Sequence, residues 1–108
     1  IAHYLQALRI NPESAEVHNN LGLALNNLGR TEESIEHYLQ ALRINPESEK
    51  THLNLGNILY NQGRTEEAKE HYLQALKKNP ESEEAHNNLA ISLFLKGLPL
   101  FKSPVGFI

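Results

Sequence analysis

The side chains best equipped for chemistry in this sequence are its six histidines, and their spacing limits what they can do. They form two sets, His3, His37 and His71, and His18, His52 and His86, with members of each set 34 residues apart. Imidazole is a common metal ligand, but zinc needs three or four ligands converging on one point at about 2 Å. A histidine that returns at a fixed long interval marks a position in a repeating unit. Units stacked side by side carry such residues along a row, not to a common ion. The sequence therefore predicts no metal site and no cofactor. The first set is expected on a helix surface, and the second packed between helices.

Serine and glutamate offer a nucleophile and a base, but their places are those of helix starts. Ser14, Ser48 and Ser82 each follow Asn-Pro-Glu and precede a helical stretch, as N-caps do. Glu32-Glu33 and Glu66-Glu67 follow Thr31 and Thr65, themselves expected caps, and put negative charge where a helix dipole favours it. No catalytic triad assembles, and no glycine-rich phosphate loop or dinucleotide fingerprint is present. The chain is read as non-enzymatic.

Composition narrows the partners. A net charge of −3 over 108 residues offers no basic surface for nucleic acid or anionic lipid. The absence of cysteine excludes disulfides and thiolate metal sites. No run approaches the ~20 apolar residues of a membrane span, and no signal peptide opens the sequence. These features leave the compartment open, with the cytoplasm as default. The first residues read as mid-helix and lack an initiator methionine, so the chain is expected to be a piece of a longer one.

The elements that carry these residues come from the interval itself. HYLQALRINP at His3–Pro12 returns unchanged at His37–Pro46 and as HYLQALKKNP at His71–Pro80. Between Ala15–Ser48 and Glu49–Ser82, 22 of 34 positions are identical. Self-similarity at such a period is the mark of a stacked repeat array. Each unit holds two stretches of helical periodicity: Val17, Leu21, Ala24, Leu25 and Leu28, then Ile35, Tyr38, Leu39 and Leu42. Gly29-Arg30 and Gly63-Arg64 break the chain between the two stretches. Asn-Pro at 11–12, 45–46 and 79–80 ends the second, because a residue before proline avoids the helical region.

These motifs resemble the tetratricopeptide repeat family. Its first-helix pattern matches His18, Leu21, Gly22 and Leu25, then His52, Leu55, Gly56 and Leu59, then His86, Leu89, Ala90 and Leu93. Its second-helix pattern matches Ser34, Tyr38, Ala41 and Pro46, then Ala68, Tyr72, Ala75 and Pro80. Gly22 and Gly56 are expected to let helices approach, Tyr38 and Tyr72 to fill the space between neighbouring hairpins, and Ala41 and Ala75 to avoid a clash. Histidine in place of the usual first-helix aromatic, and Ser34 in place of alanine, depart from the pattern.

The implied fold is all-α, a right-handed α-α superhelix of 34-residue hairpins. Residues 1–97 form the array: the second helix of a partial repeat (1–12), complete repeats at 15–48 and 49–82, and the first helix of a third repeat (83–97). Residues 98–108 are a non-repeat apolar tail in which Pro99 and Pro104 oppose a helix. Three fates are open to Leu98–Ile108: folding back as a cap, docking onto another copy, or no structural role. The open end helices offer a further route to a swapped dimer or head-to-tail oligomer.

In this family the first helices line the concave face. The resemblance assigns to a peptide groove Asn19, Asn20, Leu23 and Asn27, with Asn26 beside them; then Lys50, Asn54, Asn57, Tyr60 and Asn61, with Leu53; then Asn87, Asn88, Ile91 and Phe94, with Glu84 and Leu95. Asn20, Asn54 and Asn88 recur at one position, and a row of amides can clamp an extended backbone or bond between repeats. The basic clamp with which some members hold acidic chaperone tails is broken here: Asn19, Glu84 and Asn88 occupy its positions, and Lys50 alone is basic. The expected partner is a protein or peptide, and the expected function a protein–protein interaction scaffold. Two alternatives stay open, a self-assembling repeat unit and an engineered array without a native partner.

Overall fold

The computed structural model describes the backbone of residues 1–97 and the side chains of residues 1–94. The tail Leu98–Ile108 lies outside the described residues, as does the side chain of Leu95. Six α-helices follow one another: α1 (Ala2–Ile10), α2 (Ala15–Asn27), α3 (Thr31–Ile44), α4 (Glu49–Asn61), α5 (Thr65–Lys78) and α6 (Glu83–Gly97). Among the described residues there is no strand. Each helix packs on its neighbours in the chain, and α4 also meets α6 across the array. The pairs α2–α3 and α4–α5 are the two complete hairpins.

The boundaries have local causes. The hydroxyls of Ser14, Ser48 and Ser82 accept from the backbone N–H of Val17, Thr51 and Ala85 at 3.2, 3.2 and 3.1 Å, which satisfies one free donor at each first-helix start. At the other end of α2, Gly29 takes φ +80°, its N–H donates to Asn26 O (3.0 Å), and Arg30 N–H donates to Leu25 O (2.9 Å). Gly63 and Arg64 repeat this after α4. It is the Schellman arrangement, which favours glycine at the left-handed position. Because that turn closes at the arginine, Arg30 and Arg64 become the N-caps, and Thr31 and Thr65 are already helical. This corrects the placement of the threonines at the caps. The arginine side chains reach forward instead, gripping Glu33 at 2.7 and 2.8 Å and Glu67 at 2.7 and 2.9 Å. Asn11, Asn45 and Asn79 end the second helices with ψ of 88°, 86° and 88°, the extended conformation that a following proline demands.

The core explains the small residues. A Cβ on Gly22 would stand 2.8 Å from the Tyr38 ring, and one on Gly56 2.7 Å from the Tyr72 ring. Both tyrosines therefore pack directly against the glycine of their own hairpin. Tyr38 also joins the apolar cluster that runs through Leu53, Leu55, Ile58 and Leu59 to Tyr72 and Ala85. The sequence assigned the tyrosines to the space between hairpins; they fill the space within the hairpin as well. Ala41 and Ala75 are fully buried. Ser34 is equally buried, and its hydroxyl donates to Gly22 O at 2.5 Å, so the departure from alanine is satisfied by a hydrogen bond.

Candidate functional site

The first helices α2, α4 and α6 carry a connected row of polar side chains. Asn19 Oδ1 accepts from the Thr51 hydroxyl at 2.9 Å and from Asn54 Nδ2 at 3.3 Å. One repeat on, Asn57 Oδ1 accepts from the Tyr72 hydroxyl at 2.7 Å and from Asn88 Nδ2 at 2.9 Å. Each acceptor has both lone pairs engaged, so its amide is held in one orientation. Asn57 then presents its Nδ2 donors outward, while Asn88 keeps its Oδ1 and one N–H. Asn54 likewise keeps its Oδ1 and one N–H. Asparagine bonding between repeats and an amide surface for a ligand thus coexist on the same residues.

Between α4 and α6 lies a cavity of about 390 Å³, lined by Asn57, Tyr60, Asn61, Glu84, Asn88 and Ile91, with Tyr72 at its base. A second recess, along the same face, is formed by Glu49, Lys50, Leu53, Asn54 and Glu84. The assigned groove residues are not equally available. Lys50, Leu23, Asn27, Asn61, Asn87 and Ile91 are exposed; Asn20, Asn54, Asn57, Tyr60, Asn88 and Phe94 are half-buried. Asn19 differs from its assignment: it is only 4 % exposed, and its acceptor is consumed by Thr51 and Asn54. Its Oδ1 organises the row, and little of its side chain reaches the surface. Leu53, too, is buried in the core cluster.

Two residues that the sequence reading left out belong to the site. Tyr72 comes from a second helix, and its hydroxyl fixes Asn57; burial, with Tyr60 and Glu84 nearby, pushes its phenol up to about 12. Thr51 is buried and anchors Asn19. A signal for the first existed: Asn57 stands where the preceding repeat has Leu23. A polar residue at an otherwise apolar repeat position needs a partner.

The histidine sets meet each other within each hairpin. His18 Nδ1 lies 3.1 Å from His37 Nδ1, and His52 Nδ1 lies 3.0 Å from His71 Nδ1. The sequence placed the second set between helices and the first on the surface. His18 and His52 are buried, but His37 and His71 are half-buried against them, and His86 is exposed. The ring centroids of each pair are 5.3 and 5.2 Å apart, so the facing nitrogens lie on the line between the rings. That is the geometry of a hydrogen bond; an ion shared by both nitrogens would have to sit off this line. Among the described residues no three histidine or acidic side chains converge as metal ligands, and no helix is long and apolar enough to cross a membrane.

Comparison with known proteins bears on the whole array. The family model described as "TPR repeat" matches residues 1–29, 24–63 and 56–97. No curated protein matches the sequence significantly. Among solved structures, the Sgt2 TPR domain from Aspergillus fumigatus superposes with a TM-score of 0.81 at 22% identity, over 89% of this chain and 65% of that one. Pseudomonas aeruginosa pilF gives a TM-score of 0.81 at 28% identity, over 90% of this chain and 45% of that one. This chain therefore spans less than two thirds of either protein's length.

Proposed function

The chain belongs to the tetratricopeptide repeat family, whose repeats are generally protein–protein interaction modules, and we propose that this array is a scaffold that binds an extended peptide or helix along α2, α4 and α6. The observation that carries the reading is the oriented amide row. Asn57 and Asn88 beside the open cavity, and Asn54 in the neighbouring recess, hold free donors and acceptors, and inter-repeat hydrogen bonds fix them before any ligand arrives. Preformed amides can pair with a peptide backbone at little ordering cost and with little sequence demand. The array occupies 1–97 in this reading, with Leu98–Ile108 outside it. Its partners are proteins or peptides, not nucleic acid or membranes, and its role is non-enzymatic.

The test is fluorescence anisotropy with a labelled peptide enriched from a displayed random library. Asn54→Ala combined with Asn88→Ala is expected to weaken binding at least about tenfold, as loss of two hydrogen bonds of about 1 kcal/mol each implies. Unchanged affinity in a folded double variant contradicts the reading.

Self-association is the second reading, and α1 supports it. None of its residues is buried, and Ile10 is 77 % and Leu5 48 % exposed. A mass that rises with concentration in light scattering, and falls to that of the monomer in Leu5→Glu/Ile10→Glu, would favour it. A constant monomer mass removes it.

A further inference from the structure

The cavity between α4 and α6 has a chemical bias that the amide row lacks. Its unused polar atoms include amide donors on Asn57, Asn61 and Asn88 and acceptors at Asn88 Oδ1 and the Tyr60 and Tyr72 hydroxyl oxygens, and its one charged group is the Glu84 carboxylate. Glu84 is exposed, lines both this cavity and the neighbouring recess, and makes no ion pair or hydrogen bond among the described residues. It stands in the first turn of α6, where the helix dipole favours a negative charge. It is also near enough to the Tyr72 phenol to oppose that group's ionisation. The cation on this face, Lys50, stands in the recess with Glu49 and Glu84, so carboxylates outnumber ammonium groups there.

We propose that this cavity receives a cationic side chain, lysine or arginine, from the bound peptide, with Glu84 as its counter-ion. The proposal rests on the peptide-groove reading and names the class of peptide. Ammonium and guanidinium groups are donors only, so they match the Glu84 carboxylate and the Asn88, Tyr60 and Tyr72 oxygens that line the cavity with it. Tyr60 provides an aromatic wall of the kind that attracts cations, and Ile91 an apolar surface for the methylene stem. The cavity volume of about 390 Å³ holds one such side chain with room for bridging water. Lys50 lies one repeat before Glu84 and fixes polarity along the groove, since it repels a second cation at its own position.

The test is a selection of displayed random nonapeptides on the intact chain, followed by the same selection on Glu84→Gln and Lys50→Gln, with circular dichroism as the check that each variant folds. The wild-type chain is expected to enrich lysine or arginine at one position. Glu84→Gln is expected to lose that enrichment and to bind the wild-type peptides about tenfold more weakly, more so at low salt. Lys50→Gln is expected to keep or strengthen it. Enrichment of peptides with no basic position, or of acidic peptides whose capture depends on Lys50, overturns the cation proposal and leaves the groove reading standing. Enrichment of no peptide at all by a folded wild-type chain overturns both.

Discussion

The Nδ1 atoms of His52 and His71 lie 3.0 Å apart, and the other ring nitrogen of His52 stands 2.8 Å from the carbonyl oxygen of Pro46. A carbonyl only accepts, so His52 Nε2 carries a proton and, in the neutral ring, Nδ1 is a lone pair. His71 must then donate through its Nδ1–H. The same chain of bonds runs from His37 through His18 to Pro12, at 3.1 and 3.0 Å. Each pair ties the end of the preceding second helix to both helices of the next hairpin, and its bridge has room for one proton.

Stability should therefore fall in mild acid. Burial, and next the facing imidazole, lower the pKa of both His37 and His71; Glu33, Glu36, Glu67 and Glu70 oppose this from the same helices. The unfolded chain, with histidines near 6.5, binds more protons below that pH than the folded one does. The contribution of these histidines is full above 6.5 and declines as pH falls from there toward their folded values. Urea midpoints measured between pH 7 and 5 are expected to drop, and to drop less steeply in His37→Gln/His71→Gln. An equal slope in the variant would remove the pairs as the cause.

At the alkaline end the tyrosines give the opposite sign. Burial raises Tyr38 and Tyr72 to about 12, from an ordinary value of 10.0. Their contribution is intact below 10.0 and is lost as pH climbs through about 12. When phenolate absorbance is followed, two phenols are expected to ionise well above 10.0. Four indistinguishable titrations would contradict the packing.

Gly56→Ala sets helix propensity against space. Alanine in a helix interior gains about 1 kcal/mol over glycine. The added methyl would stand 2.7 Å from the buried Tyr72 ring, and overpacking of that kind costs about 1–3 kcal/mol. A net loss of about 1 kcal/mol is expected in denaturant unfolding. A stabilised variant would show that the ring can move.

Thr51→Val keeps shape and removes a hydroxyl. The buried Asn19 Oδ1 would then retain only the 3.3 Å bond from Asn54. A loss of about 1–2 kcal/mol is expected, with weaker peptide binding because Asn54 loses its brace. Unchanged stability and binding would remove Thr51 from the site.

Much of the array was legible because repetition makes local signals redundant. Ser14, Ser48 and Ser82, Gly29 and Gly63, and the three Asn-Pro steps each mark a boundary, and the helices end where these residues require. The side-chain pairings were less legible. His18 and His37 belong to different rows of the repeat, and their meeting depends on how two helices of one hairpin face each other. Periodicity gives each helix a face but not the facing register. Asn19 illustrates the same limit: helical spacing puts it beside the groove, while the Thr51 hydroxyl engages its Oδ1 between the repeats.

The most direct test of the central claim is an amide NMR titration of the intact chain with a peptide enriched from the random library. If α2, α4 and α6 bind the ligand, shifts will concentrate around Asn54, Asn57, Tyr60, Asn88 and Ile91, including the side-chain amides of Asn57 and Asn88. Shifts confined to the outer surface of α3 and α5, around exposed residues such as Leu39 and Leu73, would contradict the account.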